Sequence, residues 1–113
     1  MKRAFLILAL AAAQAAATPF DGLYRPGIGG WSCERDQLGM IGGSLGILDD
    51  AIHGLENTCR LSNPTPVRDM DAILYDESCA GEGMTSAGRV MLMRSPDGVF
   101  IVKDGSVTEW LRC

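Results

Sequence analysis

Four cysteines carry the most chemistry in this sequence, at positions 33, 59, 79 and 113. Their number is even, and the gaps between them are 26, 20 and 34 residues. Thiolates that share a zinc ion usually come in close pairs such as C-x2-C. No such pair is present, so two disulfides are expected in place of a metal centre. Four cysteines permit three pairings. The expected set is Cys59–Cys79 with Cys33–Cys113, for a reason of register given below.

The other reactive residues are sparse. Catalysis by a serine nucleophile needs a base, and His53 is the only histidine. It stands in Ala-Ile-His-Gly with no recognisable partner and reads as a surface side chain. A pair of carboxylates can hydrolyse a glycoside. Glu56, Glu77 and Glu82 are expected near each other in the hairpin that carries the two central cysteines. Fourteen acidic residues in a short chain make such coincidences common, however. Gly39, Gly42, Gly43 and Gly46 have neither P-loop nor dinucleotide spacing, and no lysine precedes Ser44. Asp49-Asp50 and Asp69-x-Asp71 lack an EF-hand pattern and read as turns. Met91-x-Met93 places two thioethers on one face of a strand. Soft sulfur suits Cu(I), and Met84, Met40 or His53 nearby would complete a copper or small-ligand site. Core packing by flexible apolar side chains is the preferred reading. No enzymatic activity, metal or cofactor is expected.

The address of the chain is written in its first seventeen residues. Met1-Lys2-Arg3 is a short basic start, residues 5–13 are an unbroken apolar run, and Ala15-Ala16-Ala17 offers a small-residue cleavage site. These are the three marks of a secretory signal peptide. The run is shorter than the ~20 apolar residues needed to span a bilayer. Cleavage after Ala17 is expected, which leaves a single domain over 18–113 in the periplasm or outside the cell. That compartment is oxidising, which agrees with two disulfides. Without Lys2 and Arg3, eight basic residues face fourteen acidic ones, a net charge of −6. An acidic chain without a basic run does not suit nucleic acid or an anionic membrane surface.

The elements that position the cysteines read as short strands. Leu23 to Arg25 form one between Pro19 and Pro26. Residues 44–48 and 51–60 fit two strands joined at Asp49-Asp50. Leu45, Leu48, Ile52 and Leu55 would also fit one face of a helix capped by Ser44, but Gly46 and Gly54 argue against a helix interior. Ala80-Gly81-Glu82-Gly83 is a turn, residues 89–94 are a buried strand, and Ser95-Pro96-Asp97-Gly98 is a second turn. Residues 99–102 form the next strand. Asp104-Gly105 is a tight hairpin signal, and residues 107–113 close the chain. Trp31, close to Cys33, is expected over the disulfide or at the core edge. Short strands with turns between them mean an all-β fold. The expectation is a small antiparallel meander or partly closed barrel of six to eight strands.

The central hairpin fixes the pairing of cysteines. Pro64-Thr65-Pro66 is not expected in a regular element, because each proline lacks a backbone donor. If the chain reverses near Asp69, Cys59 falls opposite Cys79 and Leu61 opposite Glu77. Cys33 and Cys113 are then left to clamp the ends of the domain. By the chain-entropy relation the two bridges contribute about 3 and about 4–5 kcal/mol.

Gly-Leu-Tyr near the start of the domain, Glu56-x-x-Cys59, Cys79-x-x-Glu82-Gly83 and Trp110-x-Arg112-Cys113 together form a pattern. It resembles a group of small exported bacterial proteins of unassigned function. The resemblance implies an antiparallel β meander with two disulfides, strands over residues 44–60, and export. It brings no activity or functional residue. A stapled β domain of this size offers a partner an edge strand or a loop cluster, as protease and lysozyme inhibitors do. The expected role is therefore a non-enzymatic binding or inhibitor-type module for an envelope or extracellular protein. The acidic turns favour a basic partner surface.

Overall fold

The computed structural model describes residues 18–113. The expected signal peptide, residues 1–17, lies outside the described residues. Eight strands follow one another: β1 (Gly22–Arg25), β2 (Leu45–Leu48), β3 (Ala51–Gly54), β4 (Asn57–Pro66), β5 (Ala72–Gly81), β6 (Met84–Arg94), β7 (Gly98–Lys103) and β8 (Ser106–Arg112). Each pairs antiparallel with the next, and β8 returns to β1 to close a barrel. One 3-10 turn, Arg35–Gln37, interrupts the long β1–β2 connection. The helix that residues 45–55 could have formed is absent, and two strands stand there instead.

Alternation of side chains sorts the residues. Tyr24, Ile47, Ile52, Leu61, Tyr75, Val90, Leu92, Val99 and Trp110 point inward and are buried. An eight-stranded barrel has an interior just wide enough for side chains to fill. Phe20, from the arm before β1, is buried too, and its carbonyl accepts a hydrogen bond from the Tyr24 hydroxyl. Trp31 is partly buried and packs on this core.

Closure depends on short contacts. Tyr24 pairs with Arg112 and Arg25 with Leu111, and the Cys113 N–H donates to the Leu23 carbonyl at 3.0 Å. The Cys33–Cys113 disulfide clamps the same place, with Cα atoms 5.7 Å apart. Arg112 also lies over the Tyr24 ring, 5.1 Å from its centre.

The central hairpin has the expected register. Cys59 faces Cys79 and Leu61 faces Glu77, and the second disulfide joins Cys59 to Cys79. The chain reverses around Asp69, whose φ is 61°. Three expectations need correction. Pro64 and Pro66 do lie in a strand, the far end of β4. A bulge at Asn63 (φ 52°) shifts the register between Ser62 and Thr65, and β3 has already ended on that side, so no donor is needed there. The strand expected over 51–60 is two strands, broken by a turn at Leu55-Glu56 with Glu56 at φ 49°. The strand expected at Arg89 begins at Met84, because β5 and β6 run on to a two-residue turn, Glu82-Gly83, at φ 50° and 73°.

Candidate functional site

Consecutive antiparallel strands place alternate connections at the same end of a barrel. The β1–β2 connection and the turns β3–β4, β5–β6 and β7–β8 therefore share one end. The β1–β2 connection is tied in by a hydrogen bond from the Glu56 N–H to the Gly39 carbonyl, 3.0 Å.

A cavity of about 140 Å³ opens into the lumen here. Its walls are inward residues of four strands: Ile52 and Gly54, Asn57 and Cys59, Ile101 and Lys103, Thr108 and Trp110. Deeper in, the carboxylate of Glu77 accepts from the Lys103 ammonium at 3.0 Å. The Glu77 side chain is 6% exposed and that of Lys103 34%. The second carboxylate oxygen of Glu77 is buried with no hydrogen-bond partner. Sequence reasoning named Glu77 but missed Lys103. The signal was present, since Val99, Ile101 and Lys103 share one strand face.

Glu77, Cys59 and Cys79 have donor atoms within 4.8 Å of one another. The two sulfurs are bonded to each other, so the cluster is a disulfide flanked by an ion pair. Glu56 and Glu82 sit exposed in neighbouring turns above it, where Gly81 packs so closely on the Glu56 carbonyl that no side chain fits. Glu77 is thus separated in role from the other two acids of the expected trio.

Met91 and Met93 share a face, as expected, but it is the outer one. Val90 and Leu92 fill the lumen, while Met91 lies between Leu74 and Val102, and Met93 between Ala72 and Phe100. The preferred core-packing role is corrected to partial burial on the outside of the sheet. Met84 has the opposite strand parity, and Met40 belongs to the β1–β2 connection. His53 is on β3, with β4 and β5 between it and β6, and its Nε2 lies 3.3 Å from the Leu48 carbonyl. The fold does not gather these groups around the two thioethers. Asp49 and Asp50 form a turn with φ 53° and 56°, and Asp71 is paired with Arg94 at 2.6 Å.

Most of the large exposed apolar side chains belong to the connections at the cavity end. Among the described residues seven large hydrophobic side chains are exposed: Ile28, Met40, Ile41, Leu55, Met70, Met84 and Val107. All but Met70 lie in or beside the connections at this end. Each of the three tight turns here also carries an acid: Glu56, Glu82 and Asp104.

The opposite end holds an open trough of about 430 Å³ between the N-terminal arm and β4–β5, and Asp50 is its one charged lining residue. The Tyr75 phenol in its wall has a raised pKa, chiefly from burial, with the charges of Asp21 and Asp50 adding and a hydrogen bond with Thr18 opposing. Among the described residues no helix is long and apolar enough to cross a membrane. No family model matches the chain, and neither a curated protein nor a solved structure matches it.

Proposed function

We propose that this chain is an exported, non-enzymatic binding module that holds a partner protein against the rim of turns at one end of its barrel. The observation that carries the reading is the clustering of exposed apolar side chains. Large hydrophobic groups scattered singly on a surface need no explanation, but a patch bordered by polar groups marks an interaction site. Six of seven such groups fall at one end. The acids of the three turns favour a partner whose surface is basic around an apolar centre.

The lumen itself supports this reading over small-ligand carriage. Ligand pockets commonly measure ~300 Å³ or more, and the cavity at this end is about 140 Å³. Its cation is already engaged by Glu77. Two disulfides in a chain of this length support an oxidising compartment. β1, β2 and β3 have four residues each, short of the about nine to eleven that a membrane strand needs. The apolar side chains also fill the lumen, which supports a barrel that works in water.

The test is capture from an envelope fraction with the oxidised domain, in parallel with the variant Ile41→Ser/Leu55→Ser/Met84→Ser. A protein captured by the first and lost by the folded variant, and then bound as a purified species, supports the rim. Equal capture by both removes it as the site.

A further inference from the structure

The pairing of β4 with β5 sets Cys59 opposite Cys79. Glu77 lies two residues before Cys79 on β5, so its side chain falls on the same face of the strand. Among the described residues these three form the one group whose ligand atoms converge, all within 4.8 Å of one another, and all three residues are buried. Ligand atoms around a tetrahedral zinc with usual Zn–S and Zn–O lengths are about 3.6–3.8 Å apart. In the oxidised chain the bond between the sulfurs keeps them from that arrangement.

The Glu77 carboxylate supplies a second, independent sign. One oxygen accepts from the Lys103 ammonium at 3.0 Å. The other is buried and has no hydrogen-bond partner among the described residues. A buried polar oxygen left unpaired costs free energy, and this one lies beside the two sulfurs. The Asn57 amide stands 3.7 Å from the Cys59 sulfur, a donor placed to support a thiolate there. Asn57 and Cys59 both line the cavity of about 140 Å³. A water fills roughly 30 Å³, so an ion and a water have room to enter from this end.

We propose that reduction of the Cys59–Cys79 bridge turns this part of the lumen into a zinc site. The two thiolates and the unpaired oxygen of Glu77 are its protein ligands, and a water from the cavity takes the fourth position. Two electrons from a dithiol break the S–S bond. The dithiol leaves as a disulfide, and its two protons pass to the cysteine sulfurs. Zn²⁺ then displaces both protons to solvent. Charge selects a divalent ion. Two thiolates and one carboxylate carry three negative charges, and Zn²⁺ with Lys103 carries three positive ones. The lumen is then as neutral as it is in the oxidised chain, whereas a monovalent soft ion would leave one negative charge buried. The ion replaces the covalent bond as the link between β4 and β5.

The test reduces the domain with dithiothreitol, removes the reagent by anaerobic desalting, and titrates Co²⁺ and then Zn²⁺ against a chromophoric chelator. The expected result is one ion per chain, the sulfur-to-cobalt absorption of a tetrahedral site, release of about two protons per ion, and a Tm that climbs with zinc. The oxidised domain is expected to show none of these. If the reduced chain unfolds without metal, zinc is expected to restore its β-sheet circular dichroism. Cys33→Ser/Cys113→Ser is expected to keep the site. Glu77→Gln is expected to weaken zinc binding by more than about tenfold, the loss that follows even from removing a group one step away from a metal. The proposal is overturned if the reduced wild-type chain binds zinc no more tightly than Cys59→Ser/Cys79→Ser, or binds it without regaining native sheet. It is also overturned if Glu77→Gln leaves both the affinity and the cobalt spectrum unchanged, or if a folded Cys33→Ser/Cys113→Ser chain loses the site.

Discussion

Replacing Lys103 by methionine separates the two halves of the lumen ion pair. The ammonium lies 3.0 Å from Glu77, whose side chain is 6% exposed, and among the described residues it is the only partner of that carboxylate. At an effective dielectric near 20 the attraction is ~5 kcal/mol, most of it offset by desolvation of the two charges. Removing one member of a buried pair costs about 3–5 kcal/mol, because the other charge stays buried. Lys103 is one-third exposed, which screens the pair and places the loss at the low end, about 3 kcal/mol. For a domain of this size that is a fall in Tm of roughly 15 °C. The reverse change is milder. With Glu77→Gln the lysine head turns to water, and the cost is about 1 kcal/mol. The double variant should sit near Glu77→Gln, not at the sum, because no uncompensated charge remains. Denaturant unfolding at neutral pH with the disulfides intact, followed by tryptophan fluorescence, gives all corners of the cycle. Equal costs for the two single variants, or additivity in the double, would refute the reasoning.

Four further outcomes are expected. Replacing Cys33 and Cys113 together by alanine should cost about 4–5 kcal/mol for a closed loop of this length, and hydrogen exchange should quicken first where β8 meets β1. Burial raises the pKa of both Tyr24 and Tyr75 above the ordinary 10.0. The native state then holds more protons than the unfolded state above that pH, so the contribution of these two phenols should be constant below about pH 10 and stability should decline above it, as unfolding at stepped alkaline pH will read. Titration of Cu(I) against a competing chelator should find no tight site, and one abolished by Met91→Leu/Met93→Leu would reverse that expectation. Intact mass of the exported protein should place its first residue at Thr18; a retained apolar run would end the export reading.

The parts of the fold legible in the sequence were those fixed by local signals. Cys59 and Cys79 lie symmetrically about a reversal at Asp69, so the hairpin register and the disulfide followed together. Asp104-Gly105 announced its turn because φ there is positive at both residues. The turn at Leu55-Glu56 carries no such marker, and the position of Glu56 at positive φ is imposed by the β3–β4 pairing. Pro64 and Pro66 read as breakers because a strand is usually flanked on both sides. Their acceptance depends on β3 ending early, which is a fact about another segment. Full closure is likewise non-local, since β1 and β8 meet across most of the chain. The rim was invisible for the opposite reason. Leu55, Met84 and Val107 look like core residues in a sequence, and only the sheet shows that they stay outside.

The central claim is that the turn end of the barrel binds a basic protein surface. The most direct measurement is the association rate of the captured partner with the wild-type domain and with Glu56→Gln/Glu82→Gln/Asp104→Asn, over a range of ionic strength. Steered association should be about tenfold slower in the variant at low salt, with the difference vanishing as salt screens the turns. An association rate identical for the two proteins at every ionic strength would contradict the account.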